Sequence, residues 1–356
     1  MLDRTNIKPA DLPPDLPPLL IVVIDTEEEF DWGQPLSRDN TATASIAAQH
    51  LAQEVFARHG IVPTYVIDHP VATNRAACGI LKAYLDDGLC EIGTHLHPWV
   101  NPPHEEQVTP GNSYPGNLPP ELELAKLETL TQAITENLGQ RPVVYKAGRY
   151  GVGPNTTGIL RRLGYRIDLS VVARTAFTED GGPDFRGFDF QPYWFGSDHE
   201  LLEIPLSAGF AGLFSRFGPA AYPRLFGKLG MKFRAPGIAA RLGLLERIRL
   251  TPEGIDHAAH RRLTDALLRQ GCRVFYMAYH SPSLRPGLTP YVRDESELRC
   301  FLQTIDRYLG YFLGELGGQA TTPTKLYALL RGGPPAVFED GDSGADGSEE
   351  PGSPDA

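Results

Sequence analysis

The stretch Leu19-Leu20-Ile21-Val22-Val23-Ile24-Asp25-Thr26-Glu27-Glu28-Glu29 decides how the rest of the chain reads. Leu19–Ile24 is short, unbroken in its apolar character and rich in β-branched side chains. A strand with one wet face would alternate; an unbroken run suits a strand covered on both faces, as in a parallel sheet flanked by helices. Outward from it, helix and strand signals alternate. Residues 43–59 carry Ile46, Leu51, Val55 and Phe56 at helical spacing and stop at Gly60. Residues 63–68 (PTYVID) read as a second strand, 74–87 as a second helix and 90–95 (CEIGTH) as a third strand. A helix over 121–138 leads to the strand 143–148 (VVYKAG), and a helix over 156–164 leads to 165–172 (YRIDLSVV). Late in the chain a helix over 257–270 precedes the strand 272–279 (CRVFYMAY), and a last helix covers 295–316. This alternation predicts an α/β domain built on a parallel sheet, open or closed into a barrel.

Two stretches break the rhythm. Residues 98–120 are Pro-rich and patternless, too long to serve only as a connection. Residues from about 173 to 250 read as an insertion. The expected organisation is a Pro-rich leader over 1–18, one domain over 19–331 carrying that insertion, and a disordered acidic tail over 332–356. The chain has 356 residues and a net charge of −11, but seven acidic and no basic residues follow Arg331, which leaves 37 acidic against 33 basic. The acidity therefore belongs mostly to the tail, and the balance argues against a general nucleic-acid binder. Cys78, Cys90, Cys272 and Cys300 have neither metal-finger nor CxxC spacing, and no signal-peptide or membrane-spanning run is present. A cytoplasmic protein with free thiols is expected.

In parallel α/β folds, functional side chains project from the carboxyl ends of the strands. Those ends carry Asp25 and Glu27, His95 and His97, Lys146 with Arg149 and Tyr150, Asp168, and His280. Residues two apart in extended chain face the same side, so each of the first two pairs can address a common point. One carboxylate oxygen and two imidazoles leave an open position on a divalent ion, and a second carboxylate can take a proton from water there. Either cluster alone would pass for a solvated turn; at two successive strand ends they predict a site. GRYGVG (148–153) lacks the Lys-Ser/Thr of a phosphate loop, and neither Ser281 nor Ser283 sits in a GxSxG elbow.

These motifs, in this order from Leu19 to Leu316, resemble the polysaccharide deacetylases with a NodB-homology domain (carbohydrate esterase family 4). The resemblance implies a distorted or partial (β/α) barrel of the glycoside hydrolase/deacetylase type. It implies a metal-dependent hydrolase that removes an N-acetyl or other N-acyl group from an amino sugar or surface-glycan precursor. Carried over, Asp25 is the base, Glu27 the metal carboxylate, His95 the first metal histidine and His280 the acid. The family's second metal histidine lies four residues after the first, where this chain has Trp99; His97 takes that place, with His104 as the alternative. Lys146 stands where the family has the arginine that orients the base; that task falls to Lys146 or to Arg149, three residues on. Asp168 is assigned to hold His280, and Lys146, Tyr150 and Trp99 to contact substrate. One divalent ion is implied, most simply zinc. Two other readings stay open: hydrolysis of a small linear or cyclic amide, and a catalytically weak glycan-binding protein.

Residues 213–250 interleave Arg216, Arg224, Lys228, Lys232, Arg234, Arg241, Arg247 and Arg249 with Leu213, Phe214, Phe217, Phe226 and other apolar side chains, against Glu246 alone. That pattern fits either a solvated face of an insertion or a segment touching anionic lipid, in which case a lipid-linked sugar is the expected substrate.

Overall fold

The computed structural model describes residues 6–225, 232 and 235–332; from residue 333 onward, the tail expected to be disordered lies outside them. The strands are β1 (Lys8–Pro9), β2 (Leu19–Thr26), β3 (Thr64–Ile67), β4 (Glu91–Leu96), β5 (Val144–Ala147), β6 (Ile167–Asp168), β7 (Tyr193–Phe195), β8 (Leu201–Glu203), β9 (Ala208–Ala211), β10 (Glu246–Arg249), β11 (Val274–His280) and β12 (Gln319–Ala320). The main sheet runs β1-β7-β8-β6-β5-β4-β3-β2-β11, with β12 also on β2. From β8 through to β11 every pairing is parallel; β7 lies antiparallel on β8 and β1 antiparallel on β7.

All eight residues of β2 are buried, between β3 on one side and β11 on the other, as an unbroken apolar run requires. The sheet curls back on itself. The Leu206 N–H donates to Val171 O at 2.8 Å, and the Ser207 N–H donates to Tyr276 O at 3.3 Å. The Tyr276 N–H in turn donates to Ser207 Oγ at 2.9 Å. One short segment thus spans from beyond β6 to β11, and the architecture is α/β, a distorted, partial (β/α) barrel.

Local chemistry sets the helix boundaries. Asp68, Asn74, Asp256, Asp294 and Thr322 each accept backbone N–H groups at a helix N-terminus. Gly139 ends the helix Pro120–Leu138 in the left-handed region, with φ 76°. The last predicted helix is regular over Glu295–Leu309 and then loosens into a π-type turn, Gly310–Glu315. Within 165–172 the strand Ile167–Asp168 is followed only by an isolated bridge at Val172, with the Asp168 carboxylate taking the Ser170 N–H in between and bending the chain. Inside 173–250, β7 and β8 join the main sheet, and β9 with β10 forms a separate antiparallel hairpin.

The Pro-rich stretch 98–120 holds a single helical turn, Pro115–Asn117. It is clamped from below by Lys126, whose buried ammonium donates to the carbonyls of Pro98, Asn101 and Pro103 at 2.9, 2.6 and 2.7 Å. This clamp fixes the loop over the carboxyl ends of the strands. Among the described residues no helix is long and apolar enough to cross a membrane.

Candidate metal centre

Parallel register brings the strand-end residues together. His280 of β11 lies level with Asp25 of β2, and His95 of β4 level with Lys146 of β5. They floor a cavity of about 750 Å³ that Trp32, Tyr114, Tyr150, Phe177, Arg249 and Tyr291 also line.

Glu27, His95 and His97 each point one donor atom at a common locus, the three atoms lying within 4.8 Å of one another. Glu27 Oε2 is 3.6 Å from His95 Nε2 and 3.5 Å from His97 Nε2. Two ligands at zinc-type bond lengths on a tetrahedral ion stand about 3.4 Å apart, so the spacing fits. Both Nδ1 atoms are engaged elsewhere: that of His95 lies 3.1 Å from Lys146 O and that of His97 2.7 Å from Glu28 Oε2. Each imidazole therefore turns its Nε2 lone pair inward. Burial lowers the pKa of both histidines, that of His97 to about 4, which keeps them neutral and able to ligate. Glu27 Oε1 is buried without a hydrogen-bond partner among the described residues. Burial pushes the Glu27 carboxyl up to about 7 against the pull of His280 and His95. An orphaned oxygen, a desolvated carboxylate and two neutral imidazoles fit a divalent cation.

Glu28, Asp68 and His97 also stand within ligand distance of one another. Their oxygens are already used. Glu28 accepts from Trp99 Nε1 at 2.7 Å as well as facing His97, and Asp68 accepts the N–H groups of Glu28 at 2.6 Å and Val71 at 2.9 Å. This group supports His97 from behind. The backbone makes the same demand: a Cβ on Gly148 would lie 2.4 Å from Leu96 O and 2.5 Å from His97 Cδ2, so only glycine lets β5 approach β4 there.

Asp25 is 2% exposed, and Lys146 Nζ donates to both of its oxygens, at 2.6 and 2.7 Å. Burial alone would raise the Asp25 pKa; the Lys146 charge, with His95 and His280, outweighs it and holds the carboxyl below its usual value. Opposite, His280 Nε2 is 3.6 Å from Asp25 Oδ2 and its Nδ1 is 2.8 Å from Glu253 Oε2. Glu253 also accepts from the His280 N–H at 3.1 Å and from Ser283 Oγ at 2.6 Å. Desolvation works against a charge on His280, but Glu253, with Glu27 and Asp25, lifts its pKa well above the ordinary value. The result is an ionised carboxylate and a protonated imidazole 3.6 Å apart in the cavity that also holds the metal locus.

Two sequence expectations are corrected, those for Arg149 and Asp168. Of the two cations left open for orienting the base, Lys146 is the one paired with Asp25, and it lines the cavity as well. Arg149, the other candidate to orient the base, donates instead to Ser113 Oγ at 2.6 Å and to Asp180 Oδ2 at 2.7 Å. Asp168 does not hold His280; it accepts from Ser170 inside the barrel, beside Glu203, and Glu253 holds His280. Trp99, expected on the substrate, lines the cavity, 2% exposed and stacked on His97 with ring centroids 4.2 Å apart. His104 lines a separate 380 Å³ cavity with Arg38 and His69, away from Glu27. Tyr150 lines the main cavity, stacked on Phe177 at 5.2 Å. Glu28 and Glu253 escaped the sequence reading: the first was one acid among three in a row, and the second lies in a Pro-Glu-Gly turn without periodicity.

No protein-family model matches the chain, and no curated protein matches its sequence. Solved structures do. A Mycobacterium smegmatis protein assigned as a polysaccharide deacetylase superposes with a TM-score of 0.51 at 15% identity, over 94% of this chain and 98% of its own. Puue allantoinase superposes with a TM-score of 0.53, also at 15% identity, over 92% of this chain and 95% of its own. The chain is thus similar in fold, along nearly its whole length, to a protein assigned as a polysaccharide deacetylase and to an allantoinase.

Proposed function

We propose that the chain is a divalent-metal-dependent hydrolase of N-acyl amides, acting as an N-deacetylase on an amino sugar or surface-glycan precursor, within the deacetylase family its motifs resemble. The observation that carries this is that Asp25, held by Lys146, and His280, held by Glu253, stand 3.6 Å apart in the same cavity in which Glu27, His95 and His97 converge. Glu27, His95 and His97 would hold the ion, and zinc suits a donor set of two imidazoles and one carboxylate. Bound there, a divalent cation supplies Lewis acidity toward the amide carbonyl and acidifies water at neutral pH.

The chain's own residues do the rest. Asp25, ionised because Lys146 neutralises it, accepts the proton that the attacking water loses at Oδ2 or Oδ1. Lys146, locked on both oxygens, fixes the direction of that carboxylate. His280, kept protonated by Glu253, donates from Nε2 to the amine nitrogen as the C–N bond breaks, so acid and amine leave with the proton count balanced. The buried cavity floor limits bulk water, while Trp32, Tyr150, Phe177 and Tyr291 offer ring faces to a sugar ring.

The test is metal analysis of the purified protein with acetate release from N-acetylated amino-sugar oligomers. Asp25→Asn should keep its metal and lose about a hundredfold or more in turnover. Glu27→Ala should lose metal and activity together. Full activity in Asp25→Asn overturns the base assignment. The equal likeness in fold to an allantoinase favours a second reading, hydrolysis of a small linear or cyclic amide, and a parallel assay on such amides separates the two.

A further inference from the structure

Residues 212–245, which link β9 to β10, carry an unusual surface. Among the described residues nine large apolar side chains are exposed, and five of them lie here: Leu213 (75%), Phe214 (46%), Phe217 (59%), Ile238 (53%) and Leu242 (66%). The two ends of the excursion are zipped together: the Leu213 N–H donates to Gly243 O at 3.0 Å and the Phe214 N–H to Leu244 O at 2.8 Å. This extends the β9–β10 hairpin and sets Leu213 and Leu242 at the same point of it. The helices Gly218–Leu225 and Ala235–Arg241 lie beyond. Contiguous exposed aliphatic and aromatic side chains are rare on a surface that faces only water.

The charge is as one-sided. Residues 212–245 hold Arg216, Arg224, Lys228, Lys232, Arg234 and Arg241 and no acidic residue, in a chain whose net charge is −11. Arg216, Lys232 and Arg241 are exposed, and none forms an ion pair among the described residues. A second copy of this chain is a poor occupant, because a two-fold contact would bring the exposed cations Arg216, Lys232 and Arg241 against a face of the same sign. The surface calls for a partner that is negatively charged at its face and apolar just beneath it.

We propose that the described parts of this excursion, 212–221 and 235–245, dock the protein on an anionic lipid bilayer, with Leu213, Phe217, Ile238 and Leu242 entering the interface and Arg216 and Arg241 lying at the phosphate level. With no described helix able to span, the attachment is peripheral and reversible. The hairpin that carries this surface is rooted at the site: Arg249, at the base of β10, lines the main cavity three residues from Glu246 at its outer end. Docking would therefore hold the cavity roughly 10 Å of strand away from the lipid face.

The experiment is co-sedimentation of the full-length chain with vesicles of phosphatidylserine and phosphatidylcholine against vesicles of phosphatidylcholine alone, with the solution mass measured in parallel. Each basic residue near an anionic surface is worth about fivefold in partitioning. Arg216→Glu with Arg241→Glu should weaken binding by about 25-fold or more, and raised salt should do the same to the wild type. Leu213→Ser with Leu242→Ser should weaken it by about tenfold and leave the salt dependence in place. These four positions are exposed, so an unchanged thermal midpoint shows that folding is intact. Equal affinity for both vesicles, or affinity indifferent to both double variants, overturns the proposal. So does a dimer that the Leu213→Ser/Leu242→Ser variant dissociates while neither vesicle binds. The outcome is independent of the hydrolase reading, because no residue involved touches the metal locus.

Discussion

Asp25 and Lys146 are each tolerable inside the barrel only because of the other. Neither side chain is more than 3% exposed, and the ammonium faces both carboxylate oxygens. Removing one partner leaves an uncompensated buried charge, which typically costs about 3–5 kcal/mol. Lys146→Met should lower unfolding stability by that amount and raise the Asp25 pKa, since burial would then be opposed only by His95 and His280. Lys146→Met combined with Asp25→Asn should recover most of the loss in a denaturant-based double-mutant cycle; additive losses would mean that the pair is not coupled. Glu28 acts one layer further out. Glu28→Gln should weaken metal binding by about 10–100-fold while Glu27 stays in place, because an amide has one acceptor oxygen for the two partners, Trp99 and His97, that the carboxylate serves. An unchanged affinity, read by competition with a chromophoric chelator, removes that positioning role. The residues readable in the sequence were those that project directly from strand ends, Asp25, Glu27, His95, His97 and His280. Glu253 was not readable, since its contact with His280 depends on Leu250 lying beside Ala278, an adjacency that no periodicity encodes.

Among the elements, legibility followed length and burial. β2 and β11 were plain because each is a run of six or more residues buried on both faces. β7 and β8 were missed: three residues apiece cannot display a period, and their pairing with β6 and the Lys8–Pro9 strand is set by the barrel. The helix His257–Leu268 shows how an element reaches the site without entering it. His260 on its buried face lies with Nε2 2.8 Å from Thr251 O, tying the helix to the turn that presents Glu253. Burial lowers the His260 pKa to about 4 from an ordinary 6.5. The unfolded chain therefore binds the extra proton first, so this stability contribution is complete above pH 6.5 and is lost as pH falls toward 4. Urea unfolding of the wild type should lose about 2 kcal/mol from this group between neutrality and about pH 5. His260→Gln should flatten that part of the profile; an identical slope in the variant would place the acid sensitivity elsewhere.

For the whole molecule, the site is a local deficit carried by a large core. Folded domains keep only about 5–15 kcal/mol in hand, so a buried cluster of acids at the barrel mouth is a measurable fraction of the total. Glu27 is the clearest case, because burial raises its carboxyl from 4.5 to about 7 when no cation neutralises it. Here the sign is opposite to that of His260. The folded state holds the proton more tightly, so metal-free stability is present at low pH and is lost as pH rises from 4.5 through about 7. The loss amounts to roughly 3 kcal/mol at most. A divalent cation binds only the folded arrangement and reverses it, adding about 2.7 kcal/mol at a hundredfold excess over its dissociation constant. Metal-free wild type at mildly alkaline pH should therefore melt lower than metal-free Glu27→Gln, which has no charge to bury. On adding zinc the order should invert, with the wild-type midpoint rising and the variant hardly moving. A wild type that melts above Glu27→Gln without metal, or a variant that zinc stabilises equally, would mean that the orphaned Glu27 oxygen faces something other than a cation.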